Sequence, residues 1–236
     1  MIFPPENANR FLSSLSVLAQ ESLLAKATVV QVPQSTVLHA SNMRPRFIHF
    51  ITSGLATVVR TTVRGETSDV GMVGLEGLVG SLSLIGAANF ELDSAMQLEG
   101  TAVRLPIGDM KYLFETSKEI RGRVLEFVQA TSAISSYSLA CDRLHQSKER
   151  LARLLLSAQD SSTRTTLDFT QDFLATMLGT RRSTVNLAAG ALQKINLIEY
   201  SRGRLTILDR DRMEGVACDC YKSIKKVQSE LYRLAV

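Results

Sequence analysis

The sequence predicts an α+β fold with an antiparallel β domain first, a long helix next and a winged helix-turn-helix last. Between residues 28 and 106, short runs rich in Val, Ile, Thr and Phe alternate with turn signals at Ser53-Gly54, Arg64-Gly65-Glu66 and Glu99-Gly100. This pattern is typical of a closed or rolled β-sheet. From about Asp109 the apolar residues take helical spacing instead. We therefore divide the chain into a β domain at residues 1–118, a helix and hinge at 119–145, and a helix-turn-helix domain at 146–236.

The predicted elements follow in chain order. A short helical start covers Asn9 to Lys26, and the strands after it are VVQVP, STVLHA, RFIHFI, ATVVRTTV, TSDVGMV and AVRLP. After a break at His145-Gln146-Ser147, Ser147 caps the helix KERLARLLLSAQ. Its Arg150 can reach either a neighbouring acid or the DNA backbone. Residues Met213 to Val236 are predicted to form one terminal helix that closes the core.

A heptad-like stripe runs along the predicted long helix. Its members alternate steps of four and three: Ile120, Val124, Phe127, Thr131, Ile134, Ser138 and Cys141. Apolar residues at this spacing can pair with the same seam of a second copy. We expect the first six to form a homodimer interface. The alternative is that the stripe packs only on the β domain of its own chain.

The segment from Thr170 to Ile207 has the pattern of a winged helix-turn-helix. A first helix, Gln171 to Leu178, places Phe173, Leu174 and Met177 on one face, and Gly179 follows where a positive φ is commonly needed. A second helix has Val185, Ala188, Ala189 and Leu192 on its inner face, which leaves its first turn free to enter a DNA groove. Arg202-Gly203 supplies the two-residue turn of the wing. A helical hairpin without a DNA-binding role is the alternative.

Eight residues of this segment are the expected DNA contacts. They lie at the start of the two helices, in the turn between them or in the wing: Thr170, Thr180, Arg181, Arg182, Ser183, Asn186, Arg202 and Arg204. Positive charge collects in the same half. Residues 1–142 carry 11 basic and 13 acidic side chains, whereas residues 143–236 carry 16 and 10. A basic half suits a polyanionic partner, although an ordinary solvated surface can have the same excess.

Composition and cysteine usage exclude several classes of protein. The N-terminus lacks the pattern of a secretory signal and no apolar run is long enough to cross a bilayer, so we expect a cytoplasmic location and no membrane partner. Three cysteines argue against a disulfide framework. In a continuous helix Cys218 and Cys220 point apart, with Cys220 in the core and Cys218 exposed. Three scattered histidines show no ligand spacing, so neither a metal nor another cofactor is expected.

The order of these elements resembles that of the Crp–Fnr family of bacterial transcription regulators. The resemblance covers nearly the whole chain and is most specific at the winged helix and at VGMVGLEGLVGSLSLIG, Val70 to Gly86. It implies that the β domain is a cyclic-nucleotide-binding-like β-roll that senses a signal, that the long helix dimerises, and that the dimer binds a pseudo-palindromic promoter site and contacts RNA polymerase. It also implies that Arg182 reads guanine through a bidentate pair.

The chain departs from this family where the family binds cyclic AMP and DNA. The Gly-Glu-Leu and Arg-Ser/Thr-Ala segments of cyclic-AMP binders correspond to Gly80-Ser81-Leu82 and Asp93-Ser94-Ala95. Serine replaces the ribose-binding glutamate and aspartate replaces the phosphate-binding arginine, so cyclic AMP is not the expected effector. Gly80, Ser81, Leu82 and Ser94 still mark the expected effector pocket. Ser183 and Leu187 stand where the family often has glutamate and arginine, so the half-site differs and Asn186 is expected to pair with adenine.

These observations predict a dimeric DNA-binding regulator with an unidentified small-molecule effector. A small-molecule-binding module that signals through protein contacts is the main alternative, and a regulator without any effector also remains open. An enzyme is not expected, since the glycine-rich segment lacks the Gly-Lys-Ser/Thr of a phosphate loop and no nucleophile–base set stands out.

Overall fold

The computed structural model describes residues 9–41, 43–86 and 92–233. Its helices and strands follow one another in this order: α1 (Arg10–Ser13), α2 (Val17–Leu24), β1 (Thr28–Val32), β2 (Val37–His39), β3 (Phe47–Ile51), β4 (Leu55–Thr61), β5 (Thr67–Val73), β6 (Leu78–Val79), α3 (Leu82–Ile85), β7 (Asp93–Leu98), β8 (Gly100–Pro106), α4 (Ile107–Thr116), α5 (Lys118–Leu144), α6 (Ser147–Ser162), β9 (Thr166–Asp168), α7 (Gln171–Met177), α8 (Arg182–Lys194), β10 (Ile198–Ser201), β11 (Arg204–Ile207), α9 (Arg210–Val216) and α10 (Cys220–Glu230).

Two antiparallel sheets form the N-terminal β domain, as predicted. Their strand orders are β1-β8-β3-β6 and β2-β7-β4-β5. Apolar side chains of both sheets share one core with α1, α2 and the first half of α5. Gly54 and Gly65 both have a φ of +82° in the turns where the sequence placed them. The six predicted strand segments are all present, while β6, β7 and β9 were not predicted.

Helix boundaries account for most of the differences from the sequence prediction. The helical start is two short helices, with Ser16 capping the second. Gln146, not Ser147, caps α6, in a capping box with Glu149. The predicted terminal helix is broken, because Ala217 takes an extended ψ of 146° between α9 and α10. Leu234, placed on the apolar face of that helix, lies outside the described residues.

The stripe on α5 faces its own chain. Ile120 and Val124 are completely buried and Phe127 is 4% exposed, all three within the core of the β domain. Their own chain covers these three side chains, which favours the alternative that this part of the stripe packs on the β domain. Thr131, Ile134 and Ser138 lie farther along the same side and line a cleft next to α6 and α10.

The helix-turn-helix domain docks on the β domain of the same chain. Leu55 and Leu98 from the β domain belong to the hydrophobic core of the C-terminal domain. The Leu75 backbone N–H donates to the Ser161 carbonyl oxygen at 3.0 Å. A Cβ at Gly74 would lie 2.1 Å from that same oxygen, so the close approach of α6 requires glycine at this position. No helix in the described part of the chain is both long and apolar enough to span a membrane.

Candidate nucleic-acid interface

Helices α7 and α8 pack as the two helices of a helix-turn-helix. The Thr170 hydroxyl oxygen caps α7 by accepting from the Phe173 backbone N–H at 3.1 Å. Leu174, Ala175 and Met177 are buried against the inner face of α8, whose buried side chains are Val185, Ala188, Ala189 and Leu192. Gly179 has a φ of +55° in the turn between the helices, as its position predicted. Thr180 lies in that turn, with its backbone N–H bonded to the Ala175 carbonyl oxygen at 3.0 Å.

The first turn of α8 presents exposed polar side chains. Arg181, Arg182, Ser183 and Asn186 are all exposed. Gln171 orients two of them: its amide oxygen accepts from Arg182 Nε at 3.1 Å, and its Nε2 donates to Asn186 Oδ1 at 3.3 Å. Arg182 also lies 3.6 Å from the Asp172 carboxylate. The two residues expected to read bases are therefore held side by side at the start of α8.

The start of α8 also suits an anion. Arg181 is at the N-cap position and makes no side-chain capping bond. The first backbone N–H groups of a helix have no intrahelical partner, and the helix dipole places partial positive charge there. Such an end binds phosphate readily.

The wing is a two-residue hairpin beside the start of α7. Strands β10 and β11 pair antiparallel from Ile198↔Ile207 to Ser201↔Arg204. Arg202 and Gly203, the dipeptide predicted to form a two-residue turn, have φ values of +51° and +81°, the signature of a type I′ turn. The Cβ position of Gly203 lies 3.8 Å from the Thr170 methyl group. The wing turn therefore lies next to the N-cap of α7.

The wing arginines remain available to a ligand. Arg202 is exposed, and Arg204 is 80% exposed with a long 3.5 Å contact from its Nε to Asp168. Exposed pairs of this kind contribute little stability, so exchanging Asp168 for a phosphate costs little. The Tyr200 hydroxyl anchors the wing by donating to the Phe169 carbonyl oxygen at 2.8 Å.

Arg150 takes the first of its two predicted roles and contacts an acid. Its Nη2 lies 2.6 Å from Asp142 Oδ1 near the end of α5, and it also donates to the Leu178 carbonyl oxygen at the end of α7. With its side chain 9% exposed, Arg150 is covered by protein and is not on the DNA-facing surface.

A cavity of about 400 Å³ lies between the β domain and α5. The four predicted effector-pocket residues, Gly80, Ser81, Leu82 and Ser94, all line it, together with apolar residues of β5 and the side of α5 that carries Thr131 and Ser132. Ser94 is 3% exposed, and its hydroxyl has no hydrogen-bond partner among the described residues. Asp93 accepts a hydrogen bond from the Ser41 backbone N–H at 2.8 Å. The Asp93 carboxylate therefore already accepts a hydrogen bond from its own chain. Among the described residues that line the cavity there is no arginine that could pair with a cyclic phosphate.

The cysteines differ most from the sequence prediction. Cys218 is 7% exposed, not solvent-facing, because the helix break at Ala217 lets Cys218 and Cys220 turn toward the same point. Cys141, Cys218, Cys220 and His145 come together, with one ligand atom from each within 4.8 Å of all the others. The scattered histidines showed no sign of this set, which could hold a metal ion. Spacing along the chain could not reveal this set, because its two halves are more than 70 residues apart.

Residues 149–216 match the family model of the Crp-like helix-turn-helix domain. A transcriptional regulator of the Crp/Fnr family from Eubacterium rectale is similar in structure, with 17% identity, a TM-score of 0.68, and coverage of 86% of this chain and 95% of that one. A regulator of the same family from Thermus thermophilus shows 19% identity and a TM-score of 0.66, covering 80% and 98%. The c-di-GMP responsive global regulator of Xanthomonas campestris shows 14% identity and a TM-score of 0.66, covering 82% and 100%.

No curated protein sequence matches the chain. The three similar structures named above are regulators, and the family model covers α7, α8 and the wing. Residues 149–216 are thus a Crp-like helix-turn-helix domain, in a chain that has the fold of a Crp/Fnr-type transcription regulator.

Proposed function

We propose that the chain is a sequence-specific transcription regulator that binds a pseudo-palindromic promoter site as a homodimer. The exposed first turn of α8 beside the wing supports this most directly. It combines two base-reading side chains with a set of groups that donate hydrogen bonds to DNA phosphates. Arg182 reads guanine and Asn186 reads adenine in the major groove. Arg181 and Ser183 flank them at the helix start. Thr170, Thr180, Arg202 and Arg204 hold the backbone.

Two substitutions separate base reading from phosphate binding. Arg182→Ala removes a bidentate base contact and lowers discrimination between sites by about 1–3 kcal/mol. Arg202→Ala weakens every duplex by a similar factor and reduces the salt dependence of binding. Fluorescence anisotropy on a selected site and on random DNA measures both effects, with Arg64→Ala in the exposed β4–β5 turn as the matched control. Equal losses on both duplexes for both variants would contradict the assignment, and binding that is insensitive to salt would favour a module that acts through protein contacts.

The outward face of α5 supports the homodimer. Leu125 and Leu139 are fourteen residues apart, which is two heptads, and both are exposed, Leu125 by 44% and Leu139 by 61%. A heptad repeat places them on one side of the helix. An exposed apolar row on a long helix is stabilised when a second copy covers it, and a two-fold pair along α5 presents two α8 helices to one duplex. Thr131, Ile134 and Ser138 stay predicted contacts at the other side of the same helix.

The dimer is tested by charge insertion on this face. Leu139→Asp places a carboxylate in the proposed interface, so light scattering after size exclusion should show a shift from dimer to monomer. Leu18→Asp is the matched control, since Leu18 is 76% exposed on α2 in the β domain. A wild-type monomer at micromolar concentration, or a dimer unaffected by Leu139→Asp, would exclude pairing through this face.

The cavity between the β domain and α5 supports a small effector other than cyclic AMP. Ser81 and Ser94 offer hydroxyl groups in a lining that is otherwise mostly apolar. This chemistry suits a compact apolar molecule with one or two polar groups. Calorimetry should show no binding of cyclic AMP, and micromolar binding would overturn this point.

We also propose that residues 1–118 sense the effector, 119–145 dimerise and form the hinge, and 146–236 bind DNA. This function implies that the protein is located in the cytoplasm and that it contacts RNA polymerase at the promoter. Co-purification of polymerase on promoter DNA, compared with a duplex that carries a scrambled site, tests the polymerase contact.

A further inference from the structure

We propose that Cys141, His145, Cys218 and Cys220 form a tetrahedral zinc site. Three thiolates and one imidazole are an established ligand set for structural Zn²⁺. The Cys141 and Cys218 sulfurs lie 3.4 Å apart, and Cys220 Sγ lies 3.7 Å from His145 Nδ1. Zinc–sulfur bonds of about 2.3 Å and zinc–nitrogen bonds of about 2.0–2.1 Å give tetrahedral edges of roughly 3.5–3.8 Å. The distance between Cys220 and His145 is close to a sulfur–nitrogen edge, and the two sulfurs need to separate by only about 0.4 Å to reach a sulfur–sulfur edge.

A carboxylate orients the imidazole for this role. His145 Nε2 lies 3.2 Å from Asp219 Oδ1. When Nε2 carries the proton and donates it to Asp219, the Nδ1 lone pair faces the Cys220 sulfur. Metal-binding histidines commonly donate their second ring N–H to a carboxylate in this way, which fixes the tautomer and strengthens the ligand.

Burial and charge also fit a metal. Cys141, Cys218 and Cys220 form a small cluster of their own, separate from the two hydrophobic cores. Zinc with three thiolates carries one net negative charge, which a buried cation can offset. Arg153, 6% exposed, supplies a guanidinium beside Cys141.

The site would join two places where the chain changes direction. Cys141 is in the last turn of α5 and His145 is in the break before α6. Cys218 and Cys220 flank the start of α10, just after the break at Ala217. A metal here ties the end of the long helix to the C-terminal helix. If the chain regulates transcription as proposed, metal occupancy sets how the DNA-binding domain is held relative to α5.

Metal content tests the site independently of DNA binding. Untagged protein purified under reducing conditions should contain one zinc per chain by elemental analysis. After removal of the zinc by a chelator, added Co²⁺ should give thiolate-to-cobalt charge-transfer absorption. Cys220→Ser and His145→Ala should abolish stoichiometric zinc, whereas His39→Ala should retain it, since His39 is remote from the cluster and contacts the Met43 carbonyl oxygen.

Asp219→Asn tests the site in a variant that is expected to fold, in case the ligand variants do not. Asp219 is not a ligand and its side chain is 85% exposed, so the variant should fold normally and bind zinc about 10–100-fold more weakly. Reduced wild-type protein that holds no zinc and gives no Co²⁺ absorption would overturn the proposal. Zinc retained by Cys220→Ser, or iron with acid-labile sulfide in place of zinc, would also overturn it. DNA binding that fails while zinc is bound would count against the proposed function alone.

Discussion

Replacement of Gly74 by alanine tests whether the two domains of one chain dock as described. The added Cβ would lie 2.1 Å from the Ser161 carbonyl oxygen, 2.7 Å from its carbonyl carbon and 2.8 Å from its Cβ. Ordinary contacts between carbon atoms are about 3.5–4.0 Å, so the end of α6 must withdraw by roughly 1 Å or more. The obstructing atoms belong largely to the backbone of Ser161, so no side-chain rotation relieves the contact.

The expected cost has two parts. Overpacking of a close contact costs about 1–3 kcal/mol. The hydrogen bond from Leu75 to Ser161, 3.0 Å long, is lost when α6 moves, at about 1 kcal/mol. The free energy of unfolding should therefore fall by about 2–4 kcal/mol. For a chain of this size that lowers the melting temperature by roughly 4–16 °C.

Thermal unfolding followed by circular dichroism measures the change, with Gly71→Ala as the matched control. Gly71 lies in β5 near Gly74, and a Cβ there meets no atom within 4 Å. The control should stay within about 0.5 kcal/mol of the wild type. Equal melting temperatures for the two variants would refute the docking of α6 on the β domain in solution.

Two further substitutions test an ionisable group and the wing. Burial raises the pKa of Asp69 from 3.8 to about 7, so in that pH range the folded chain binds more protons than the unfolded chain and stability falls as the pH rises. Asp69→Asn keeps an acceptor for the Gly71 N–H and should flatten the pH dependence of urea unfolding between about 4 and 7; an unchanged slope would contradict this. Leu205→Ala, at a fully buried wing position, should cost about 2–5 kcal/mol in the same assay, against at most about 0.5 kcal/mol for Leu208→Ala, which is 54% exposed; similar costs would show that the wing does not pack as described.

Local signals made most of the fold predictable. Alternating β-branched runs and glycine turns predicted the two sheets, and Gly203 between two apolar runs predicted the two-residue turn of the wing. The short strand β6 and the strand β7 lack such runs, and they gain their pairing from neighbours far along the chain. The two helices of the helix-turn-helix and the glycine between them were predictable for the same local reason.

Long-range contacts set the limit of sequence prediction. The stripe of Ile120, Val124 and Phe127 showed that α5 has a buried face, but periodicity does not say which chain covers it. The cysteine cluster depends on a helix break at Ala217, which no proline marks. The prediction of one unbroken helix therefore placed Cys218 and Cys220 on different sides. Only the tertiary structure brings them to Cys141 and His145.

The two contacts of Arg150 have a mechanical consequence. One guanidinium contacts both Asp142, near the end of α5, and the Leu178 carbonyl oxygen at the end of α7. Guanidinium stays charged throughout the physiological pH range, so this linkage does not titrate. If the end of α5 moves without α7, one contact breaks and a buried charge loses a partner, which is costly. A displacement of α5 is therefore passed directly to the turn between α7 and α8.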